Sequence, residues 1–299
     1  MKEKSKKIRL CWEDRVLYTV IDIIVALLLL VTLYPLIYVV SSSFSSGSAV
    51  GSGRVILLPV EPTLDGYKAV FSYKAVMTGY KNSIIYTVLG TIFNLCLTTM
   101  VAYPLSRKNF QGRKLVTTIF MIIMFFSGGM IPTYVLMSSL KLTNTRLVMI
   151  LCSGITVYNM IIMRTFFMNS IPEELHEAAV IDGISDIGYL FKVVIPLSKA
   201  IFAVITLYYA VAHWNGYFNA MMYIRDQELL PLQNILRSIM NAANAAQYIA
   251  DAETLAALDS LADVMKYALI IVSSAPVLIA YPFVQKFFKK GVMIGSVKG

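Results

Sequence analysis

Apolar residues fall in long unbroken blocks along this chain, not in alternation with polar ones. Six blocks stand out, at 16–43, 82–106, 115–140, 147–167, 200–224 and 267–288. A helix that crosses a hydrocarbon core of roughly 30 Å needs about 20 residues, and each block meets or approaches that length. A spanning segment must satisfy its own backbone N–H and C=O groups, which a helix does and an isolated strand does not. The blocks therefore predict an all-α integral membrane fold of six transmembrane helices. The polar stretches sort differently. Residues 44–81 are rich in Ser, Gly and Pro and predict an irregular loop. Residues 225–266 contain the Ala-rich stretch 236–261, which has high helix propensity and few breakers. The segments show no internal repeat, direct or inverted.

Composition agrees with the block pattern. At 58% hydrophobic, 14% charged and mean hydropathy +0.69, the chain has too little polar surface to coat a water-soluble globule. The net charge of +9 could suggest nucleic acid, but in a membrane protein excess base marks cytoplasmic loops. With the N-terminus inside, 17 of the 26 Lys and Arg lie on the inner side, in 1–15, the 2–3 loop, the 4–5 region and the tail. Both termini are thus expected in the cytosol, with a cytosolic segment 1–15, a six-helix membrane domain 16–288 containing the polar loop 168–199, and a cytosolic tail 289–299. A basic start before an apolar run also fits a cleaved signal peptide, with small residues at 41–53 around a cut. The run exceeds the roughly 7–15 residues of a signal core, so it is read as the first span.

Candidate enzyme chemistry is sparse. No Gly-x-x-x-x-Gly-Lys-[Ser/Thr] occurs, so no P-loop is available to cradle ATP phosphates. No Gly-x-Ser-x-Gly, His-Glu-x-x-His or paired intramembrane aspartates occur either. His176 and His213 are placed on opposite sides of the membrane, which excludes a two-His metal site. Cys11, Cys96 and Cys152 are widely separated, and read as small buried hydrophobes instead of metal ligands or disulfides. The central parts of the spans carry no charged residue, which argues against an ion-coupled carrier. A secondary solute carrier or channel working without an ATPase remains the alternative.

The polar loop holds the strongest local signal. Pro172 followed by Glu173 and Glu174 starts a helix, because Pro suits the first turn and carboxylates suit the positive end of the helix dipole. That helix should run to Asp182, with Leu175, Ala178, Ala179 and Asp182 on one face and the small Ala pair permitting close approach by another surface. Gly183 can take a positive φ and turn the chain. A second short helix, 185–193, would return to the membrane, with Pro196 near the start of the fifth span.

Glu177-Ala178-Ala179, three residues, Gly183, nine residues and then Val193-Val194-Ile195-Pro196 resembles the EAA loop of bacterial ATP-binding-cassette importer permeases. Val193 and Ile195 stand as conservative replacements. Gly128-Gly129-Met130-Ile131-Pro132, Arg164-Thr165-Phe166-Phe167, His213-Trp214-Asn215, Pro231-Leu232-Gln233 and the tail from Lys290 to Gly299 look like carbohydrate importer permeases over essentially the whole chain. Within these the chain is similar to the second, maltose-type subunit and to the branch that holds the LplC and YtcP permeases. Ala200 departs from the Pro of many members.

This resemblance implies a type I importer permease fold and a multi-pass protein of the bacterial cytoplasmic membrane. The implied partners are a second permease subunit, two ATPase subunits that bind ATP and Mg, an extracytoplasmic binding protein and a carbohydrate. No cofactor is implied in this chain. Glu173, Glu174, Glu177, Ala178, Ala179, Asp182, Gly183 and Pro196 would couple to an ATPase, and the tail would reach between the ATPases. The acidic outer stretch, with Asp226, Glu228, Asp251, Glu253, Asp259 and Asp263, would meet the binding protein.

The fifth span is the one with polar and aromatic content suited to a sugar path, through Tyr208, His213, Trp214, Asn215, Tyr217 and Asn219. Tyr208, Asn215 and Asn219 would share one face, and Tyr209, His213 and Tyr217 a neighbouring stripe. Each of these also fits packing, and Trp214, Tyr217 and Phe218 fit an interfacial aromatic belt.

Overall fold

The computed structural model describes residues 11–126, 128–246, 265–282 and 285. Among these the chain is all-helical. In order the helices are α1 (Trp12–Ser43), α2 (Gly47–Gly51), α3 (Asp65–Ser72), α4 (Lys74–Ser106), α5 (Arg113–Phe125), α6 (Met130–Ser139), α7 (Arg146–Leu151) and α8 (Val157–Ser170). They continue with α9 (Glu173–Ile181), α10 (Asp186–Tyr189), a π turn at Leu190–Val194, α11 (Ile195–Leu197), α12 (Lys199–Trp214), α13 (Tyr217–Tyr223) and α14 (Leu232–Ala246). The helix α15 spans Met265–Pro282. Three of them, α1, α4 and α15, are long and apolar enough to cross a membrane, and five spans result if α5 with α6 and α10–α11 with α12 each count as one bent span.

The described residues form two compact units: one takes those up to Val70 and between Met240 and Ile271, the other Phe71–Ile239 and those from Val272 on. In the first, α1 is exposed along nearly its whole length and buries only Ser41, Ser42 and Ser43 at its end. The Ser41 and Ser43 hydroxyls, with that of Ser45, tie down the segment that follows. Ser41 Oγ donates to the Leu57 carbonyl at 2.6 Å, Ser43 Oγ meets the Tyr67 hydroxyl at 2.8 Å, and Ser45 Oγ accepts from Val60 N at 3.0 Å. Residues 44–81 are therefore not an irregular loop: α2, α3 and the start of α4 lie there, and Ala49, Val50 and Val55 form a small buried cluster with Tyr38 and Val60. Ser, Gly and Pro suggested irregularity, but these serines act as caps and anchors.

In the second unit α4 is the central post, packed by α12, α8 and α7. Its polarity is inverted relative to a water-soluble helix. Asn82, Ser83, Thr91, Asn94 and Thr98 are buried, while Ile84, Val88, Leu89, Ile92 and Met100 are exposed. Lipid is as apolar as Leu, so helix association there rests on small and polar contacts and close packing. Cys96 follows the outward set and is exposed, as is Cys11 before α1, so neither is the buried hydrophobe expected; Cys152 is half-buried.

Three expected spans are interrupted at small or turn-forming residues. The 115–140 block breaks between α5 and α6, where Gly129 has φ 86°. The 147–167 block breaks between α7 and α8 at Ser153-Gly154, and the 200–224 block at Asn215-Gly216. Hydropathy alone does not register such breaks, because glycine barely lowers the average of a long apolar window. The α10–α11 segment meets α12 at 85°. Of the stretch 236–261, residues to Ala246 are helical; Asp251, Glu253, Asp259 and Asp263 lie outside the described residues, as does the tail 289–299.

Candidate functional site

The loop between α8 and α12 forms as its residues predict. Glu173 and Glu174 occupy the first turn of α9, Asp182 caps its end, and Gly183 takes φ 72° with open space where a Cβ would stand. Ile184 N then donates to the Ala179 carbonyl at 2.8 Å, closing the turn. Ser185 starts α10 by accepting from Gly188 N. Pro196 lies exposed in the short α11.

One face of this loop is fixed to the end of α4. Arg107 Nη2 donates to Glu173 Oε1 at 2.8 Å, and its guanidinium stands 5.6 Å from the centre of the Tyr189 ring. His176 stacks edge-on against the same ring at 5.1 Å, and its Nε2–H donates to Asp186 Oδ1 at 3.2 Å. The Tyr103 hydroxyl donates to the Asp186 carbonyl at 3.1 Å. Ala179 is buried among these groups beside the wholly buried Tyr189. Glu173, His176 and Ala179 thus make the inward face.

The other face is open. Glu174, Leu175, Glu177, Ala178 and Asp182 are exposed, and Ile181, Ile187 and Phe191 are 86%, 71% and 64% exposed. The two alanines expected to share an outer face therefore part. Ala178 looks out, and Ala179 packs inward because Ile184 and Tyr189 close over it. Arg107, Tyr103, His176 and Tyr189 were not among the sequence candidates. Arg107 carried a signal in hindsight, as the first cation after a long apolar run.

The fifth-span candidates do not form one lining. Tyr208 is exposed, while Tyr209, one residue on, is buried and bonds the Thr98 hydroxyl at 2.6 Å and accepts from Thr156 N at 3.2 Å. His213 is bonded to Asn94 Oδ1 at 2.7 Å. Asn94 Nδ2 is committed to the Gly154 and Ser153 carbonyls, so Oδ1 faces the ring and His213 Nε2 carries the proton. The ring lies so close to α4 that only glycine fits at position 90, where a Cβ would meet His213 at 2.4 Å.

Trp214 is not a belt residue: it is buried, and its Nε1–H donates to the Ser273 carbonyl at 2.8 Å. Asn215 and Tyr217 are exposed, Tyr217 under the Arg237 guanidinium at 4.9 Å, and Asn219 reaches Ser153 Oγ at 3.5 Å. The expected face joining Tyr208, Asn215 and Asn219 fails because the helix ends at Trp214 and restarts at Tyr217 with a new phase. Asn94 was missed, although an amide inside an apolar block is a costly choice that signals a partner.

The Pro231-Leu232-Gln233 motif also gains a place. Asn82 Nδ2 donates to the Glu228 and Leu230 carbonyls at 2.7 and 3.1 Å, and Leu232 N donates to Ser83 Oγ at 2.9 Å. Those bonds strap the segment before α14 across α4, where Gly79 permits the approach. No group of three or more His, Cys, Asp or Glu able to hold a metal is present among the described residues.

Known proteins share this architecture. The chain is 39% identical over 271 residues to the polygalacturonan/rhamnogalacturonan transport system permease YtcP of Bacillus subtilis, covering 90% of this chain and 94% of the relative. It is 38% identical to the protein LplC of the same organism, covering 90% of each. It is 30% identical to the galactooligosaccharides transport system permease GanQ, covering 93% and 94%. Among solved structures, a chain of a bacterial ABC transporter that imports the acidic polysaccharide alginate matches with TM-score 0.86 and 36% identity, covering 94% of this chain and all of that one. Residues 75–294 match the family model described as the binding-protein-dependent transport system inner membrane component, and this chain belongs to that family.

Proposed function

We propose that this chain is one of two membrane halves of an ATP-driven importer for oligosaccharides that carry uronic acids. It would lie in a bacterial cytoplasmic membrane with six spans and both termini inside. The carbohydrate class is supported by the permeases it resembles, and the acidic character by the pectin-type and alginate transporters among them. A second permease subunit, two ATPases that bind ATP and Mg, and an extracytoplasmic binding protein complete the complex. The binding protein would meet the acidic outer stretch, and the tail 289–299 would lie against the ATPases.

The observation that carries this reading is the two-faced loop of α9. Its inner face is pinned to α4 through Arg107, His176 and Tyr189, while Leu175, Glu177, Ala178, Ile181, Ile187 and Phe191 stand outward. An exposed apolar set on a polar loop favours burial by a partner. A rigid inner anchor lets motion of that partner reach α4 and, through it, α8 and α12. To invert a two-state equilibrium from 1:99 to 99:1 takes about 5.5 kcal/mol of differential binding. ATP-driven closure of the ATPases would supply it through this loop, exchanging inward-open and outward-open states.

The test reconstitutes the full complex with its binding protein in liposomes. Glu177→Lys combined with Ile181→Asp should leave the complex assembled and abolish uronate-oligosaccharide uptake together with substrate-stimulated ATP hydrolysis. Uptake by this chain alone, without an ATPase, would overturn the reading in favour of a carrier.

A further inference from the structure

A cavity of about 960 Å³ opens at the start of α5, apart from the α9 loop and the fifth span. Its mouth is basic, with Lys108, Arg113, Lys114 and Arg164 around it. None of the four meets a carboxylate within 4 Å among the described residues. Arg164 Nε donates to the Leu105 carbonyl at 2.8 Å and Arg113 Nη2 to the Met168 sulfur at 3.5 Å. Both are neutral acceptors, so among the described residues the charge of the cluster stays uncompensated. The Lys108 and Lys114 ammonium groups have no hydrogen-bond or ion-pair partner among the described residues. Arg107 next door is different, because Glu173 neutralises it.

Two further features favour an anion here. The cluster stands at the N-terminal end of α5, a helix of 13 residues entered through Gly112 at φ 84°, where the helix dipole adds positive potential. The Thr117 hydroxyl, on the cavity lining one turn further in, is buried without a hydrogen-bond partner.

The cavity changes character along α5. Leu115 and Met121 line it beyond the cations, and eight residues from Arg113 to Met121 extend about 12 Å at 1.5 Å per residue. On the same helix Leu115, Ile119, Ile122 and Phe125 are 67%, 46%, 53% and 73% exposed. A cationic mouth continuous with an exposed apolar wall matches a molecule that has an anionic head and a hydrocarbon tail. A soluble anion would leave that wall uncovered. A nucleic acid or acidic peptide would have no use for it either.

We propose that this cavity binds an anionic glycerophospholipid. Its phosphate sits among Lys108, Arg113, Lys114 and Arg164, and an acyl chain lies along Leu115 and Met121. The inference goes beyond the transport reading and shares with it only the placement of α5 in a bilayer, with its start at the interface. Basic pockets between spans on the cytoplasmic side are suited to such headgroups.

The experiment uses the purified complex in a neutral detergent and native mass spectrometry. It compares retention of phosphatidylglycerol with that of phosphatidylcholine of the same chain length, with inorganic phosphate as competitor. Phosphatidylglycerol should bind at least tenfold more tightly, and millimolar phosphate should not displace it. The double variant Lys108→Gln, Lys114→Gln should lower that preference by about fivefold in all, with the complex intact. Arg113→Gln should lower it further.

Equal retention of the two lipids, or an undiminished preference in the variants, overturns the proposal. So does efficient displacement by phosphate alone, which would make the site one for a soluble anion. Loss of a partner subunit from the variants with lipid preference unchanged also overturns it, since the cations would then hold protein. Uptake is measured in parallel: wild-type transport with no lipid preference removes this inference and leaves the importer reading standing.

Discussion

Arg107, the residue that ends α4, donates to Glu173, the residue that begins α9, across 2.8 Å, with the two side chains 16% and 33% exposed. The pair joins the central post of the membrane domain to the loop that faces outward. It is reinforced by Tyr189, whose ring sits beneath the guanidinium and beside His176. A push on α9 is therefore a push on α4.

Arg107→Gln should accordingly weaken coupling more than folding. Half-buried ion pairs contribute about 1 kcal/mol net, too little to unfold the chain but enough to loosen the joint. Substrate-stimulated ATPase activity of the assembled complex should fall several-fold while basal hydrolysis persists. The exchange Arg107→Glu with Glu173→Arg should restore part of it. Stimulation at the wild-type level in the single variant would count against the joint.

Gly183 separates backbone from side-chain effects. Open space surrounds its missing Cβ, so a substitution there meets only the cost of φ 72°, about 1–2 kcal/mol for an ordinary L residue. Gly183→Ala should reduce stimulated ATPase activity, whereas Gly183→Asn, which tolerates the left-handed region, should remain near wild type. Equal losses in both would point to a need for space on the partner side in place of the turn.

The helical blocks and the loop that carries α9 were legible because each follows a local rule. Lipid demands a helix of fixed length, and Pro172, Glu173, Glu174 and Gly183 bracket α9 within a dozen positions. What escaped was set at long range. Asn94 and His213 are 119 positions apart, and nothing in either block announces the other. Ala178 and Ala179 are identical in type, and their opposite fates depend on Ile184 and Tyr189 folding back over one of them. The break at Ser153-Gly154 is supported by Asn94 of α4 and Tyr209 of α12, contacts that no hydropathy window contains. Of the six candidates of the fifth span, Tyr208, His213 and Trp214 are sorted by the side of α12 they occupy, while Asn215, Tyr217 and Asn219 lie past the break that ends it.

Trp214 offers a test of packing against solute contact. Its indole N–H is bonded to the Ser273 carbonyl in a buried setting. Trp214→Phe keeps the aromatic bulk and removes the donor, losing one buried hydrogen bond, at about 0.5–1.5 kcal/mol. The thermal transition of the purified complex should fall by several degrees with the uptake KM unchanged. A raised KM at unaltered stability would instead put Trp214 in the solute path.

Gly90 and His213 supply a steric test of the same helix pair. A Cβ at position 90 would lie 2.4 Å from the His213 ring, closer than any non-bonded carbon contact allows. Gly90→Ala must therefore push the imidazole away from Asn94, breaking the 2.7 Å bond and releasing the amide that holds the Ser153 and Gly154 carbonyls. Overpacking of this kind costs about 1–3 kcal/mol, and the lost hydrogen bond adds to it. Because the clash is with one side chain, His213→Ala should relieve it. The double variant Gly90→Ala, His213→Ala should then be no less stable than His213→Ala alone. That non-additivity, read from thermal unfolding of the four proteins, is the signature of direct contact. Strictly additive losses would mean that α4 and α12 are not held together by His213, and would reopen that residue as a ligand for solute.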